Sequence, residues 1–190
     1  LPHWPAAVPT VAGRTFTFLN QSVRFSGPVD WNYPLYGKLW TYHLNYFDGL
    51  DALDPADALA LMREYVGQTA QLRDGLEPYP TSLRMVNWIR FLHHYGLRDA
   101  VLDRHLRAQG WLLYQSVEHH LSGNHLLENG LALLAGGWWL AEPDWLRRAE
   151  KLLRTELAEQ ILPDGAHYER SATYHQQLLG RILDLLTLAR

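Results

Sequence analysis

The chain has 190 residues, enough for one domain with a substantial core, and 47% of them are apolar, which excludes a disordered polymer. Its formal charge of −3 excludes the basic face of a general nucleic-acid binder, although a local arginine cluster can still attract an anion. With no cysteine, disulfides and thiolate metal sites are excluded, and no apolar run approaches the roughly 18 residues of a membrane span.

In chain order, residues 1–36 read as an irregular lead-in. Pro2, Pro5, Pro9, Pro28 and Pro34 rule out a long helix. Within it Arg14-Thr-Phe-Thr-Phe-Leu19 and Ser22-Val-Arg-Phe25 alternate at period two, which predicts a short β-hairpin around Asn20-Gln21. After Gly37 the pattern turns helical. Asp54-Pro55 is a helix start, followed by Leu59, Met62, Tyr65 and Val66 at spacing three to four. A loop from Asp74 to Pro80 precedes predicted helices over 82–95 and 99–119. Ser122-Gly123 breaks the chain before a segment, 124–140, that is apolar on most faces and is expected to be buried. Pro143 opens a helix ending near Ile161, Pro163-Asp-Gly165 is a turn, and a last helix runs from about Ser171 to the end. The expected fold class is all-α, an antiparallel array of helical hairpins in which inner and outer helices alternate.

Three stretches concentrate polar chemistry. The 8 Trp and 10 Tyr suit a cleft that stacks on sugar-like ligands as well as they suit a core. In Glu118-His-His-Leu-Ser-Gly-Asn-His125, Asn124 and His125 stand at a helix N-terminus, where free N–H groups favour an anion; equally, Asn124 could be a plain N-cap and His125 a core residue. A metal reading of His119, His120, His125 and Glu128 matches no ligand-spacing signature. In Asp164-Gly-Ala-His-Tyr-Glu-Arg-Ser-Ala-Thr-Tyr-His175, groups able to move protons crowd beside a turn. In Tyr79-Pro-Thr-Ser-Leu-Arg-Met-Val-Asn-Trp88, Arg84, Asn87 and Trp88 lie one turn apart and are expected to share a helix face, as a sugar-contact surface or a buried Trp with polar neighbours.

Together with Leu35-Tyr-Gly-Lys-Leu-Trp-Thr-Tyr-His-Leu-Asn-Tyr-Phe-Asp48, these stretches resemble, in order and spacing, the helical domain of heparinase II/III-like proteins. The resemblance implies an incomplete (α/α) toroid over 37–190, followed in longer members by a β-sandwich domain. It implies a polysaccharide lyase that cleaves uronic-acid-containing glycans such as glycosaminoglycans or alginate by β-elimination. The family's GNH motif falls on Gly123-Asn124-His125, which would neutralise the uronate carboxylate, and its catalytic tyrosine falls on Tyr174. Arg84, Asn87, Trp88, Glu128, Arg170 and His175 would contact substrate. Ala172 stands where many relatives carry proline, and a further catalytic histidine belongs to the β domain. The resemblance implies an anionic polysaccharide and the chain's own β domain as partners, no cofactor for this segment, and a periplasmic or secreted location. The first residues carry no initiator Met or signal pattern and the last residues stop within a helical pattern, so the chain reads as a piece of a longer protein whose isolated activity is in doubt. Two other functions stay open: a non-catalytic glycan-binding or assembly module, and a glycoside hydrolase using carboxylates among Glu118, Glu128 and Glu169.

Overall fold

The structure is a computed structural model, and it describes residues 10–118 and 123–188. A three-stranded antiparallel sheet comes first: β1 (Thr10–Ala12), β2 (Thr15–Phe18) and β3 (Gln21–Arg24), in that order. The predicted hairpin is present, with Phe18 opposite Gln21 and the turn at Leu19-Asn20. Both turn residues have positive φ, 52° and 60°, the geometry whose twist matches that of the flanking strands. Strand β1 was hidden in a segment read as irregular, because three residues are too few to display a period of two.

Among the described residues seven α-helices follow: α1 (Gly37–Tyr46), α2 (Pro55–Gln68), α3 (Pro78–His94), α4 (Ala100–Gln115), α5 (Asn124–Leu140), α6 (Pro143–Gln160) and α7 (Ala172–Leu188). Prolines open α2, α3 and α6, where the missing N–H costs nothing. Helix α3 starts at Pro78, four residues ahead of the predicted Ser82, because Pro78 and Pro80 both fit within a first turn. Asp99 caps α4, its carboxylate accepting from the N–H groups of Val101 and Leu102 at 2.8 and 3.1 Å. That helix stops at Gln115, short of the predicted His119.

The helices form two layers. Odd-numbered helices pack in sequence, α1 on α3, α3 on α5 and α5 on α7, while α2 packs on α4 behind them and α6 on α5. This is an arc of antiparallel hairpins of the kind expected for an incomplete (α/α) toroid. Helix α5 touches α3, α4, α6 and α7, which is why it is apolar on nearly every side. Close approach of α4, α5 and α6 depends on glycines, among them Gly110 and Gly136. A Cβ on Gly110 would lie 2.3 Å from the Trp145 ring, and one on Gly136 would lie 3.0 Å from Met85 Cε and 3.3 Å from the same ring. The sheet shares the core: Val11, Phe16 and Phe18 join one apolar cluster with Trp31, Trp40 and Phe47.

Candidate active site

The break before α5 depends on Gly123, whose φ of 97° and ψ of −152° belong to glycine. Gly123 is the N-cap, and among the described residues no side chain caps the helix. Asn124 is therefore the first helical residue and not the cap. Gln160 fixes this corner from α6, donating from Nε2 to the Gly123 carbonyl at 3.0 Å and to Glu156 Oε2 at 2.9 Å.

His125 keeps 39% of its side chain exposed. Its ring stacks on Tyr79, centroids 4.1 Å apart and planes at 21°. Its Nδ1 lies 3.5 Å from Glu118 Oε2, a charge contact without the alignment of a hydrogen bond. Glu118 is held in turn by Asn129, whose Oδ1 accepts the Glu118 N–H at 3.0 Å and whose Nδ2 donates to Ser82 Oγ at 3.0 Å. Tyr79, Ser82, Glu118 and Asn129 thus form the bed on which the imidazole rests.

Asn124 and Glu128 from α5 meet Tyr174 and Gln177 from α7 around one cavity of about 10 Å³, with His167 also in its wall. That is close to the space of a single water. Tyr174, 50 residues along the chain from Asn124, is 39% exposed. Beneath the cavity is a charged cluster. Arg181 Nη1 donates to Asn87 Oδ1 at 2.9 Å, and its other nitrogens lie 3.6 Å from Glu128 Oε1 and 3.7 Å from Asp48 Oδ1. Burial is the largest influence on Glu128 and raises its pKa, Arg181 opposes this, and Asp48 adds to it. Burial by itself lowers the Arg181 pKa, but Glu128 and Asp48 outweigh it, so Arg181 stays charged. Burial raises the Tyr79 hydroxyl well above its ordinary value, and the charge of Glu128 raises it further.

Of the expected substrate contacts, Glu128 lines this cavity and the others stand away from it. Arg84 is fully enclosed, and its guanidinium donates to Gln109 Oε1 at 2.7 Å, the Gly75 carbonyl at 2.8 Å, and the Asn45 carbonyl and Thr81 Oγ1 at 3.1 Å each. Trp88 is also fully enclosed, edge-on to Phe47 and Tyr65. Neither can line a cleft. The three residues fit within one turn, but Asn87 and Trp88 are consecutive and stand about 100° apart around the axis. Asn87 alone turns to the site side, where it is buried as a support for Arg181 and as a donor to Asp48 Oδ1 at 2.8 Å. Arg170 is exposed on the turn before α7 with φ of 53°, and His175 is half-buried; neither lines the cavity. His119 and His120 lie outside the described residues, so the metal reading that used them has only His125 and Glu128 in view. Among the described residues no group of three His, Asp or Glu side chains could hold a metal ion.

Two residues at this site went unremarked in the sequence. Arg181 is seven residues after Tyr174, and Leu178 and Leu185 on the same stripe are buried, so a cation there had to face inward. His167 is 1% exposed and wedged against α6, with Nε2 3.0 Å from Gln160 Oε1. Nothing in the local pattern distinguishes it from the exposed residues on either side of its turn.

The profile of the Heparinase II/III N-terminus family matches residues 82–190, which span α3 to the end of the chain and include every residue lining the cavity. The chain belongs to this family. No curated protein and no solved structure matches it. The similar lead-in segment, Leu35–Asp48, lies ahead of the matched range but supplies Asp48 to the Arg181 cluster. Membership in the heparinase II/III family makes this a polysaccharide-lyase-related domain. No helix among the described residues is long and apolar enough to cross a membrane.

Proposed function

We propose that this domain binds a uronic-acid-containing polysaccharide and supplies part of a β-elimination site, with Asn124 and His125 neutralising the carboxylate and Tyr174 moving protons. One observation carries the reading: Asn124 and Tyr174, the positions that the GNH motif and the catalytic tyrosine of similar proteins fall on, line one cavity although they come from different helices. The chemistry requires such a pair. The uronate C5–H is a very weak acid, and removing its proton sends charge onto the adjacent carboxylate. Donors fixed against that carboxylate stabilise the developing charge most where water is excluded. Asn124 offers its amide, His125 its half-exposed ring, and the first turn of α5 its free N–H groups. Tyr174 then takes the C5 proton or returns one to the 4-oxygen as the C4–O bond breaks and the C4–C5 double bond forms. Help of this kind is worth about 10²–10⁴-fold. Arg170 on its exposed turn would meet a further anionic group of the chain, His175 lies next to the tyrosine, and Glu128 would face the substrate from the cavity wall.

In this reading residues 37–190 are the toroid domain, a downstream β domain completes the site with a histidine, and the protein works in the periplasm or outside the cell. The assay is ultraviolet absorbance from unsaturated uronate, measured on the protein together with its β domain against heparan sulfate, alginate and related polymers. Tyr174→Phe should lose at least 100-fold in turnover with binding retained. Retained turnover would remove Tyr174 from the mechanism, and absence of the double bond across the panel would leave the alternative of a non-catalytic glycan-binding module.

A further inference from the structure

Two residues that line the cavity between α5 and α7, His167 and Glu128, each keep a buried polar atom, Nδ1 and Oε2, that no described residue satisfies. His167 is 1% exposed and Glu128 6%. An unpartnered polar atom at such depth costs about 1–3 kcal/mol, so both are better explained by what they face than by the packing around them.

The tautomer of His167 follows from its neighbours. Gln160 directs its amide nitrogen at the Gly123 carbonyl and at Glu156 Oε2, both acceptors. The reversed amide would set oxygen against oxygen at both contacts. Gln160 Oε1 therefore faces His167 Nε2 and can only accept, so the imidazole carries its proton on Nε2. The remaining nitrogen, Nδ1, is a bare acceptor at the cavity wall. The Glu128 carboxyl lines the same cavity; burial raises its pKa and the Arg181 charge opposes this.

We propose that this cavity is a receptacle for one hydroxyl of the bound glycan, which donates to His167 Nδ1. A bare acceptor beside the volume of one oxygen selects a group that brings its own proton, such as a hydroxyl. A carboxylate or sulfate oxygen carries no proton for Nδ1, and would be both too large and repelled. The receptacle also links recognition to the reacting atoms. The Gln160 amide that sets the His167 tautomer also holds the Gly123 carbonyl at the head of α5, next to Asn124, and Tyr174 shares the cavity wall. This proposal rests on the glycan-binding part of the function proposed above and not on elimination.

The test uses this chain with tetrasaccharides of heparan sulfate and of alginate as probes. Long-range proton–nitrogen NMR on the wild-type chain should find His167 protonated at Nε2 and bare at Nδ1. Saturating tetrasaccharide should move the Nδ1 resonance upfield, as an acceptor engaging a donor does. His167→Gln keeps a donor toward Gln160 and removes the acceptor; calorimetry should show binding weakened roughly five- to tenfold with little change in Tm. A proton on Nδ1, an Nδ1 resonance unmoved by either tetrasaccharide, or unchanged affinity in a folded His167→Gln would each overturn the proposal. Should that variant fail to fold, the wild-type titration decides alone. Binding that follows these expectations without unsaturated product would sink the elimination reading and leave the receptacle standing.

Discussion

Arg84→Met separates a buried structural arginine from a substrate contact. The guanidinium donates four hydrogen bonds, all to neutral acceptors, and its plane lies over the Tyr65 ring at 4.8 Å. Bonds from a charged donor contribute about 1.5–3 kcal/mol each, but four on one group are not additive, and removing the charge also relieves its desolvation. Methionine fills most of the volume and leaves the Asn45 and Gly75 carbonyls and Gln109 Oε1 without their donor. The net expectation is a loss of about 3 kcal/mol, near the lower end for breaking a buried charged network. For a domain of 190 residues that lowers Tm by about 6–12 °C. Urea denaturation followed by circular dichroism measures it, with exposed Arg170→Met as the control expected to stay within about 0.5 kcal/mol. An Arg84→Met chain as stable as wild type but weaker for glycan would return Arg84 to the cleft and refute the burial argument.

Gly110→Ala should destabilise by about 2 kcal/mol, since a Cβ 2.3 Å from the Trp145 ring forces rigid groups apart and outweighs the gain in helix propensity, whereas Gly67→Ala on an open face of α2 should be neutral or stabilising; the same denaturation compares them. Burial, with the Arg84 charge adding to it, lowers the His105 pKa to about 4, so the folded state resists a proton that the unfolded state takes up near 6.5. Stability is therefore full above pH 6.5 and declines by up to about 3 kcal/mol as pH falls toward 4, a slope that His105→Phe should flatten in urea titrations over that range. Arg181→Met should cost about 3–5 kcal/mol by leaving Glu128 and Asp48 without their cation, and Glu128→Gln in the same chain should recover part of it; an additive loss in the double variant would deny the coupling.

The sequence alone determined the helical order of the chain. Proline starts and glycine breaks are local signals, so the bounds of α5 could be read directly and the hairpin turn to within one residue, and the all-round apolarity of 124–140 announced its central place. Asn124, His125 and Tyr174 were legible only as an ordered set of motifs resembling a family, because each residue type alone suits a core or a cap equally well. Tertiary structure decided which polar side chains meet. Arg84 and Arg181 are both arginines on amphipathic helices, and only the packing of α3 against α1 and α4 encloses the first, while α7 against α5 and α3 brings the second beside Glu128 and Asp48. His167 shows the same limit: its role depends on a glutamine seven residues earlier, presented by a different element, and no periodicity encodes that contact.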